Sequence, residues 1–307
     1  MEISCAFATS LETPQHIKVA EDLGYVRAWA YDSPALYPDV WVALCLAAER
    51  TSRIGLGPGV LVPSLRHPMT NAAAIANLCA LAPGRVTIAV GSGFTGRHAL
   101  GQKPMKWRDV EQYVRTLRRL LAGDVVDWDG APIQMMHPAG FAPERPIEVP
   151  FLIASGGPKG AAVAKAVGDG IFAAAVPNPA ATGRQALLVP GTVLQEGETI
   201  TSDRVIDAAG HAVAVRFHAL YEMVGRDAVA KYPGGETWLA GIEAEPPQTR
   251  HLATHAGHMV ALNDHDRAAF AEASAIMQKL SLTGSAAQIQ ERVAAYAKQG
   301  VTEIAYQ

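Results

Sequence analysis

The stretch "GPGVLVPSLRHP" (57–68) follows the apolar run "RIGL" (53–56), and three prolines and two glycines interrupt what begins as a buried β-strand. Proline removes a hydrogen-bond donor and glycine weakens a strand, so this pattern is typical of a bulge, a bend or close approach of a ligand. From Pro68 an alanine-rich helical segment extends to Pro83-Gly84, and the apolar run "VTIAVGSG" (86–93) follows it. The stretch therefore predicts a strand, a loop, a helix and a second strand, which is one βα unit of a parallel sheet.

The same alternation of apolar runs and helical patterns extends outward along the chain. Besides the strands beginning at 53 and at 86, strands are predicted at 3–9, 27–33, 149–155, 168–176, 186–195 and 302–306. Helices are predicted from Pro14 to Gly24, at 38–51, from Pro68 to Pro83, at 105–122, at 158–167, at 203–225 and from Ser285 to Gly300. About eight strands in this order favour an α/β fold, the (β/α)8 TIM barrel, over a doubly wound sheet.

Two segments do not fit a simple barrel unit. The segment "DVVDWDGAPIQ" predicts a hairpin around Asp129-Gly130, and the segment 231–270 is rich in glycine, proline and histidine. We therefore predict one barrel domain over 1–307, with insertions near 124–148 and 226–270.

Composition excludes several classes of protein. The chain has 307 residues, 49% of them hydrophobic and 18% charged, and a formal net charge of −3. These values are typical of a globular protein, and no basic excess suggests a nucleic-acid partner. The chain contains no run of about 18 apolar residues and does not begin with a signal-peptide pattern, so we expect a cytoplasmic protein without a membrane partner. The three cysteines are far apart and are expected to be reduced.

Functional groups of this barrel lie where strands end and loops begin. Asp32 follows the second predicted strand and is either a turn residue before Pro34 or a ligand-contacting carboxylate. "GSGFTG" (91–96) is either a flexible glycine loop or a backbone cradle. In "ASGGPKG" (154–160), two glycines precede Pro158 at a helix start, which leaves free backbone N–H groups suited to phosphate, or simply forms a tight turn.

Histidines are concentrated in "RHLATHAGH", where His251, His255 and His258 would share one face of a helix. This spacing resembles that of metal ligands, but no H-E-x-x-H arrangement and no nearby carboxylate accompany it. We therefore predict no metal site and interpret these histidines as packing residues or donors to a substrate. The chain also lacks a G-x-S-x-G elbow, a P-loop and a dinucleotide-binding motif.

Four segments together resemble the bacterial luciferase-like superfamily, namely "AEDLGYVRAWAYDS" (20–33), "AAERTSRIGLGPGVLVPSLRHP" (47–68), "LAPGRVTIAVGSGFTGRHALGQKPMKW" (81–107) and "VPFLIASGGPKGAAVAKAVGDG" (149–170). Among its branches, the chain is similar to the coenzyme F420-dependent oxidoreductases such as methylenetetrahydromethanopterin reductase. The resemblance covers roughly residues 15–175 well and the tail "TGSAAQIQERVAAYAKQGVTEI" more loosely.

The resemblance implies a barrel that binds F420 or FMN at the carboxyl ends of its strands. It implies that Asp32 lies near the ring and that Gly59-Val60 forms a bulge behind it, with a non-proline cis peptide bond. It further implies that Ser92, Gly93 and Phe94 line the cofactor and that Ser155, Gly156 and Gly157 hold its phosphate. In the sugar-phosphate dehydrogenase branch a histidine and an acidic residue stand where this chain has Ser33 and Phe94, so that branch's acid/base pair is not expected here.

Three functions follow from the resemblance. The first is hydride transfer between F420 and a small organic substrate, with Asp32 orienting groups or handling a proton and with His255 or His258 donating to the substrate. The second is an FMN-dependent monooxygenase served by a separate reductase, and the third is a flavin-binding barrel without turnover. The length of the chain, without the long insertions common in the monooxygenase branch, favours F420. Related barrels often pair, so a homodimer is compatible with the resemblance.

Overall fold

The computed structural model describes residues 1–307 and contains ten strands. They are β1 (Glu2–Phe7), β2 (Arg27–Ala30), β3 (Gly55–Pro58), β4 (Ile88–Val90), β5 (Val126–Trp128), β6 (Ala131–Ile133), β7 (Phe151–Ala154), β8 (Gly170–Ala174), β9 (Arg184–Val189) and β10 (Glu303–Tyr306). Eight of them form one sheet in the order β3-β2-β1-β10-β9-β8-β7-β4. Apart from the β5–β6 hairpin, neighbouring strands follow the chain order, as a (β/α)8 barrel requires.

The two ends of this sheet meet between β3 and β4. Leu56 pairs in parallel with Val86, and Leu61 pairs in parallel with Val90. The Leu56 N–H donates to the Arg85 carbonyl at 2.9 Å, and the Leu61 N–H donates to the Ala89 carbonyl at 2.7 Å. These bonds close the barrel, and the predicted fold class is confirmed.

Fourteen helices accompany the strands. They are α1 (Thr13–Asp22), α2 (Val40–Arg50), α3 (Pro68–Leu81), α4 (Phe94–His98), α5 (Trp107–Ala122), α6 (Pro158–Val167), α7 (Asp203–Ala209), α8 (His211–Met223), α9 (Arg226–Ala230), α10 (Gly235–Ala244), α11 (Arg250–His255), α12 (Asp264–Ala273), α13 (Met277–Leu280) and α14 (Ala286–Lys298). The predicted capping box of Ser285 and Gln288 is present at the start of α14. The hairpin predicted at Asp129-Gly130 is also confirmed, because β5 and β6 pair there in antiparallel fashion.

Several predicted boundaries were wrong. The helix predicted over 203–225 is two helices, α7 and α8, divided at Gly210, where a Cβ atom would lie 2.6 Å from the Ile206 carbonyl oxygen. The segment 231–270, which was predicted as part of an insertion, contains α10, α11 and the first part of α12. Its prolines lie between these helices, whereas Gly235 and Gly241 lie within α10. The helix α4 begins at Phe94, inside the stretch 91–96 that was interpreted as a glycine loop or a backbone cradle.

The chain divides into two compact units. Unit 1 comprises 1–96, 103–188 and 300–305, and unit 2 comprises 97–102, 189–299 and 306–307. Unit 2 has its own apolar cluster, in which Phe217, Trp238 and Phe270 are buried together. The prediction of a single domain over 1–307 stays a prediction.

Unit 1 contains a buried carboxylate that connects α1 to the segment entering β3. Glu21 accepts hydrogen bonds from the backbone N–H groups of Ser52, Arg53 and Ile54, at distances from 2.6 to 3.3 Å. Burial by itself would raise the pKa of Glu21, but the N–H donors, that of Ile54 first, lower it to about 2. The ionised carboxylate therefore stabilises the approach to β3.

We expect Glu21→Gln to lower the free energy of unfolding at neutral pH by about 2 kcal/mol, since hydrogen bonds to a charged group are lost. The folded-state pKa lies below the usual 4.5, so the stabilisation is present above that pH and is lost as the pH falls toward about 2. The free energy of unfolding, measured with urea at several pH values, should therefore decrease less steeply on acidification in the variant than in the wild type. The control is Glu12→Gln, which changes an exposed carboxylate and should show the same decrease of the free energy of unfolding on acidification as the wild type.

No helix of the protein combines the length and the apolar character needed to cross a membrane.

Candidate functional site

The interrupted stretch after β3 forms the base of the candidate site. The peptide bond Gly59-Val60 is cis, as the family resemblance implied. A Cβ atom at Gly59 would lie 3.0 Å from the Trp29 Cβ and 3.3 Å from the Phe172 Cζ. Only glycine therefore fits without displacing the side chains beneath it, and the backbone turns directly above the barrel interior.

Val60 meets the ends of two further strands. A Cβ atom built on Gly91 would lie 2.8 Å from the Val60 Cγ2 and 3.1 Å from the Ala154 Cβ. The carboxyl ends of β3, β4 and β7 are thus neighbours in unit 1. Ser92 lies two residues after β4 and Ser155 directly follows β7, so the structure brings together the three segments that were predicted to contact a cofactor.

The segment after β4 passes from strand to helix within a few residues. Gly93 has a φ of +82°, which favours glycine, and α4 begins at Phe94. The Ser92 carbonyl accepts from the Met105 N–H at 2.8 Å, which fixes the return of the loop. The predicted glycine-rich turn is present, and Ser92 and Phe94 are half-buried beside it.

The segment after β7 is a tight turn into α6. Ser155 is buried, its hydroxyl donates to the Gly157 carbonyl at 2.9 Å, and the Asn178 side-chain amide donates to the Ser155 carbonyl at 3.0 Å. Gly156 and Gly157 are exposed, and a Cβ atom on either would meet no atom within 4 Å. The N–H groups of a first helical turn have no partner inside the helix, so this open turn can receive an anionic group.

A buried ion pair stands beside the strand ends. Asp32 lies two residues after β2, and its side chain is 1% exposed. Arg66 Nη1 donates to both Asp32 oxygens, at 2.7 and 2.8 Å, and the Val62 N–H donates to Oδ2 at 3.3 Å. Burial raises the pKa of the Asp32 carboxyl, and the Arg66 guanidinium opposes that shift.

Arg66 is held from several sides. Its Nη2 donates at 2.7 Å to Asp39, which also caps α2, and its backbone carbonyl accepts from the Tyr113 hydroxyl at 2.8 Å. Asn71 donates to that hydroxyl at 2.8 Å and accepts from the Trp41 indole at 2.9 Å. This chain of hydrogen bonds fixes the carboxylate of Asp32 at the end of β2.

The sequence interpretation assigned no role to two residues that support the candidate site. Arg66 lies in the loop after β3 and is the main partner of Asp32. Asn178, which follows β8, supports the Ser155 turn and was not considered. For both, the only sequence signal is a polar side chain in the loop after a barrel strand.

The predicted catalytic histidines belong to unit 2. His255 is the last residue of α11, and His258 lies in the turn after it. They are 1% and 2% exposed, and both imidazoles pack on His218. The prediction that three histidines share a helix face was wrong, because α11 ends at His255. Donation to a substrate by His255 or His258 stays a prediction.

Comparisons with known proteins agree with this geometry. A family model described as luciferase-like monooxygenase matches residues 9–303. Over 162 residues the chain is 36% identical to F420-dependent glucose-6-phosphate dehydrogenase from Beutenbergia cavernae, which covers 48% of this chain and 45% of that protein. Over 166 residues it is 30% identical to 5,10-methylenetetrahydromethanopterin reductase from Archaeoglobus fulgidus, which covers 52% of this chain and 48% of that protein.

These sequence matches cover about half the length of the curated relatives. A solved structure extends the likeness of fold over the whole chain. The F420-dependent tetrahydromethanopterin reductase from Methanopyrus kandleri superposes with a TM-score of 0.67 at 20% identity, covering 99% of this chain and 93% of the other.

Proposed function

This chain belongs to the luciferase-like monooxygenase family, and from that premise we propose that it is an F420-dependent oxidoreductase acting on a small organic molecule. The observation that supports this most is the presence, at neighbouring strand ends of unit 1, of the tightly packed Gly59 backbone and the open Ser155–Gly157 turn. The names of its sequence relatives favour F420 over FMN.

The residues present fit such a cofactor. In this proposal the backbone at Gly59-Val60 packs against one face of the planar ring, and Ser92, Gly93 and Phe94 contact its side. Gly156 and Gly157 leave room for a phosphate at the start of α6. When bound, F420 supplies the hydride acceptor or donor, and the protein supplies orientation and excludes water.

In this proposal Asp32 is the polar group that acts on the substrate. Its carboxylate is buried, and burial raises its pKa, while Arg66 holds both of its oxygens. A carboxylate held in this way can orient a substrate hydroxyl or accept its proton. In this proposal Arg66 is a positioning residue, because it acts through Asp32.

The test is titration of the purified protein with F420 and with FMN. Micromolar binding of F420, followed by its reduction or oxidation on addition of a suitable substrate, is the expected result. Binding of FMN alone would favour the second candidate, a flavin monooxygenase with a separate reductase, which the family model supports. Binding without turnover across broad substrate panels would favour a flavin-binding barrel.

A charge placed at the Gly157 position tests the phosphate site. We expect Gly157→Asp to weaken cofactor binding at least about tenfold, since a like charge near a phosphate costs about 1–4 kcal/mol. The matched control is Gly157→Asn, which caps α6 equally well but carries no charge. Equal affinities of the two variants in the F420 titration would place the phosphate elsewhere.

The assembly and location of the protein are further proposals. A homodimer is expected by analogy with related barrels and is tested by light scattering after gel filtration. A cytoplasmic location is proposed from the composition, and cell fractionation tests it.

A further inference from the structure

Three buried imidazoles meet inside unit 2. They belong to His218 on α8, His255 at the end of α11 and His258 in the following turn. All three are at least 98% buried, and one ring nitrogen from each lies within 4.8 Å of the other two. We call these residues the histidine cluster.

Asp266 fixes the orientation of the first imidazole. Its Oδ1 lies 3.2 Å from His218 Nε2 and accepts from the Trp238 indole at 2.9 Å. Asp266 also closes the capping box of α12 with Asn263, so its carboxylate cannot turn freely. A carboxylate on one ring nitrogen leaves the other, His218 Nδ1, as an electron-pair donor, and this is the arrangement around histidine ligands of metals.

His218 Nδ1 points at the second member of the cluster. It lies 2.8 Å from His258 Nδ1 and accepts a hydrogen bond from it, so a metal ion bound between the two rings would replace that shared proton. Nitrogen ligands of a tetrahedral zinc ion stand about 2.0–2.1 Å from the metal and therefore about 3.3 Å from each other. If the two rings moved slightly apart, the distance between their Nδ1 atoms would reach this value.

His255 provides the strongest independent observation. Neither of its ring nitrogens has a hydrogen-bond partner, although the residue is 1% exposed. The nearest carboxylate oxygen, Glu222 Oε1, lies 3.7 Å from His255 Nε2, which is too long for a hydrogen bond. A buried imidazole without partners is costly, and a metal ion would satisfy it.

The surrounding charge is also suitable. The carboxylates of Asp266 and Glu222 flank the cluster, although Glu222 also lies 3.0 Å from His98 Nδ1, and the three imidazoles are neutral when they bind metal. A divalent cation would balance this charge inside a buried site.

We propose that His218, His255 and His258 bind one zinc ion, with Asp266 orienting His218. The expectation from sequence of no metal site rested on the absence of a nearby carboxylate, and the fold supplies Asp266 and Glu222. Three imidazoles with a water molecule in the fourth position of a tetrahedron are a typical zinc site, and the ion would join α8 to the turn after α11.

The experiment measures zinc directly on the full chain. After treatment with a chelator and dialysis, titration with Zn²⁺ should give about one ion per chain, and the Tm should rise by about 5 °C at saturating metal. Substitution with Co²⁺ should give the intense visible absorption of a tetrahedral site. A weak, octahedral Co²⁺ spectrum, or less than about 0.1 zinc per chain after titration, would overturn the proposal.

The matched variants are His255→Leu and His251→Gln. His255→Leu removes a ligand without breaking a hydrogen bond, so the metal-free variant should fold, and both its zinc content and its Tm response should be lost. His251→Gln changes a histidine of the same helix outside the cluster and should keep both. Undiminished zinc binding in His255→Leu would refute the site. None of these readouts requires F420, FMN or turnover, so they are independent of the proposed function.

Discussion

Replacing Arg66 with alanine is expected to lower the free energy of unfolding at neutral pH by about 3–5 kcal/mol, the usual cost of removing one partner of a buried ion pair. The side chains of Arg66 and Asp32 are 12% and 1% exposed, and two hydrogen bonds of 2.7 and 2.8 Å join them. Without the guanidinium, the Asp32 carboxylate keeps only the Val62 N–H as a donor, at 3.3 Å. Urea unfolding followed by circular dichroism measures this loss.

The loss should depend on pH in a defined direction. Burial already raises the pKa of Asp32, and Arg66 opposes that shift, so its removal raises the pKa further. Arg66 stabilises only the ionised form of Asp32, and the deficit of Arg66→Ala should therefore shrink as the pH falls through the raised pKa. A deficit that stays constant on acidification would show that lost packing of the arginine stem, and not its charge, causes the destabilisation.

Arg115 provides the matched control. Its guanidinium lies 2.6 Å from Glu111, as close as the buried pair, but the two side chains are 55% and 33% exposed. An exposed pair of this kind contributes about 0–1 kcal/mol, so Arg115→Ala should unfold at nearly the wild-type urea concentration. Equal effects of the two substitutions would contradict the proposed importance of burial at Asp32.

Much of the fold could be predicted from the sequence, because each strand and helix of a βα unit has a recognisable sequence pattern within a short segment. The alternation of short apolar runs with helical periodicity predicted every barrel strand, and Pro68 and Pro158 marked two helix starts within one residue. The same local signals failed over 203–225, where α7 and α8 are separate helices although Gly210 between them keeps helical dihedral angles of φ −60° and ψ −31°. The helical pattern of the sequence therefore continues through the point of division and does not reveal it.

The candidate site was only partly predictable for a related reason. Turns such as Ser155–Gly157 are encoded within a few residues and were recognised directly. The pair of Asp32 and Arg66 spans 34 positions, and its existence depends on the adjacency of β2 and β3. His218 is likewise 40 positions from His258, so the histidine spacing in "RHLATHAGH" could not reveal the third member of the cluster.

The close approach of β3 to β4, where the barrel closes, requires glycine at one position of β3. Gly57 lies on β3, and a Cβ atom there would stand 1.8 Å from the Thr87 carbonyl oxygen and 3.3 Å from the Trp29 ring. The Thr87 N–H donates to the Leu56 carbonyl at 3.1 Å, so this carbonyl oxygen belongs to the backbone that joins β3 to β4. An added methyl group cannot be accommodated by rotating a side chain, because the obstacle is backbone.

We therefore expect Gly57→Ala to lower the free energy of unfolding by about 3 kcal/mol, the upper part of the usual range for overpacking. Gly156→Ala is the control, since a Cβ atom at Gly156 meets no atom within 4 Å and the change should stay within about 0.5 kcal/mol. Both values come from urea unfolding midpoints. If Gly57→Ala unfolded at the wild-type midpoint, the close approach of β3 to the Thr87 carbonyl would be disproved.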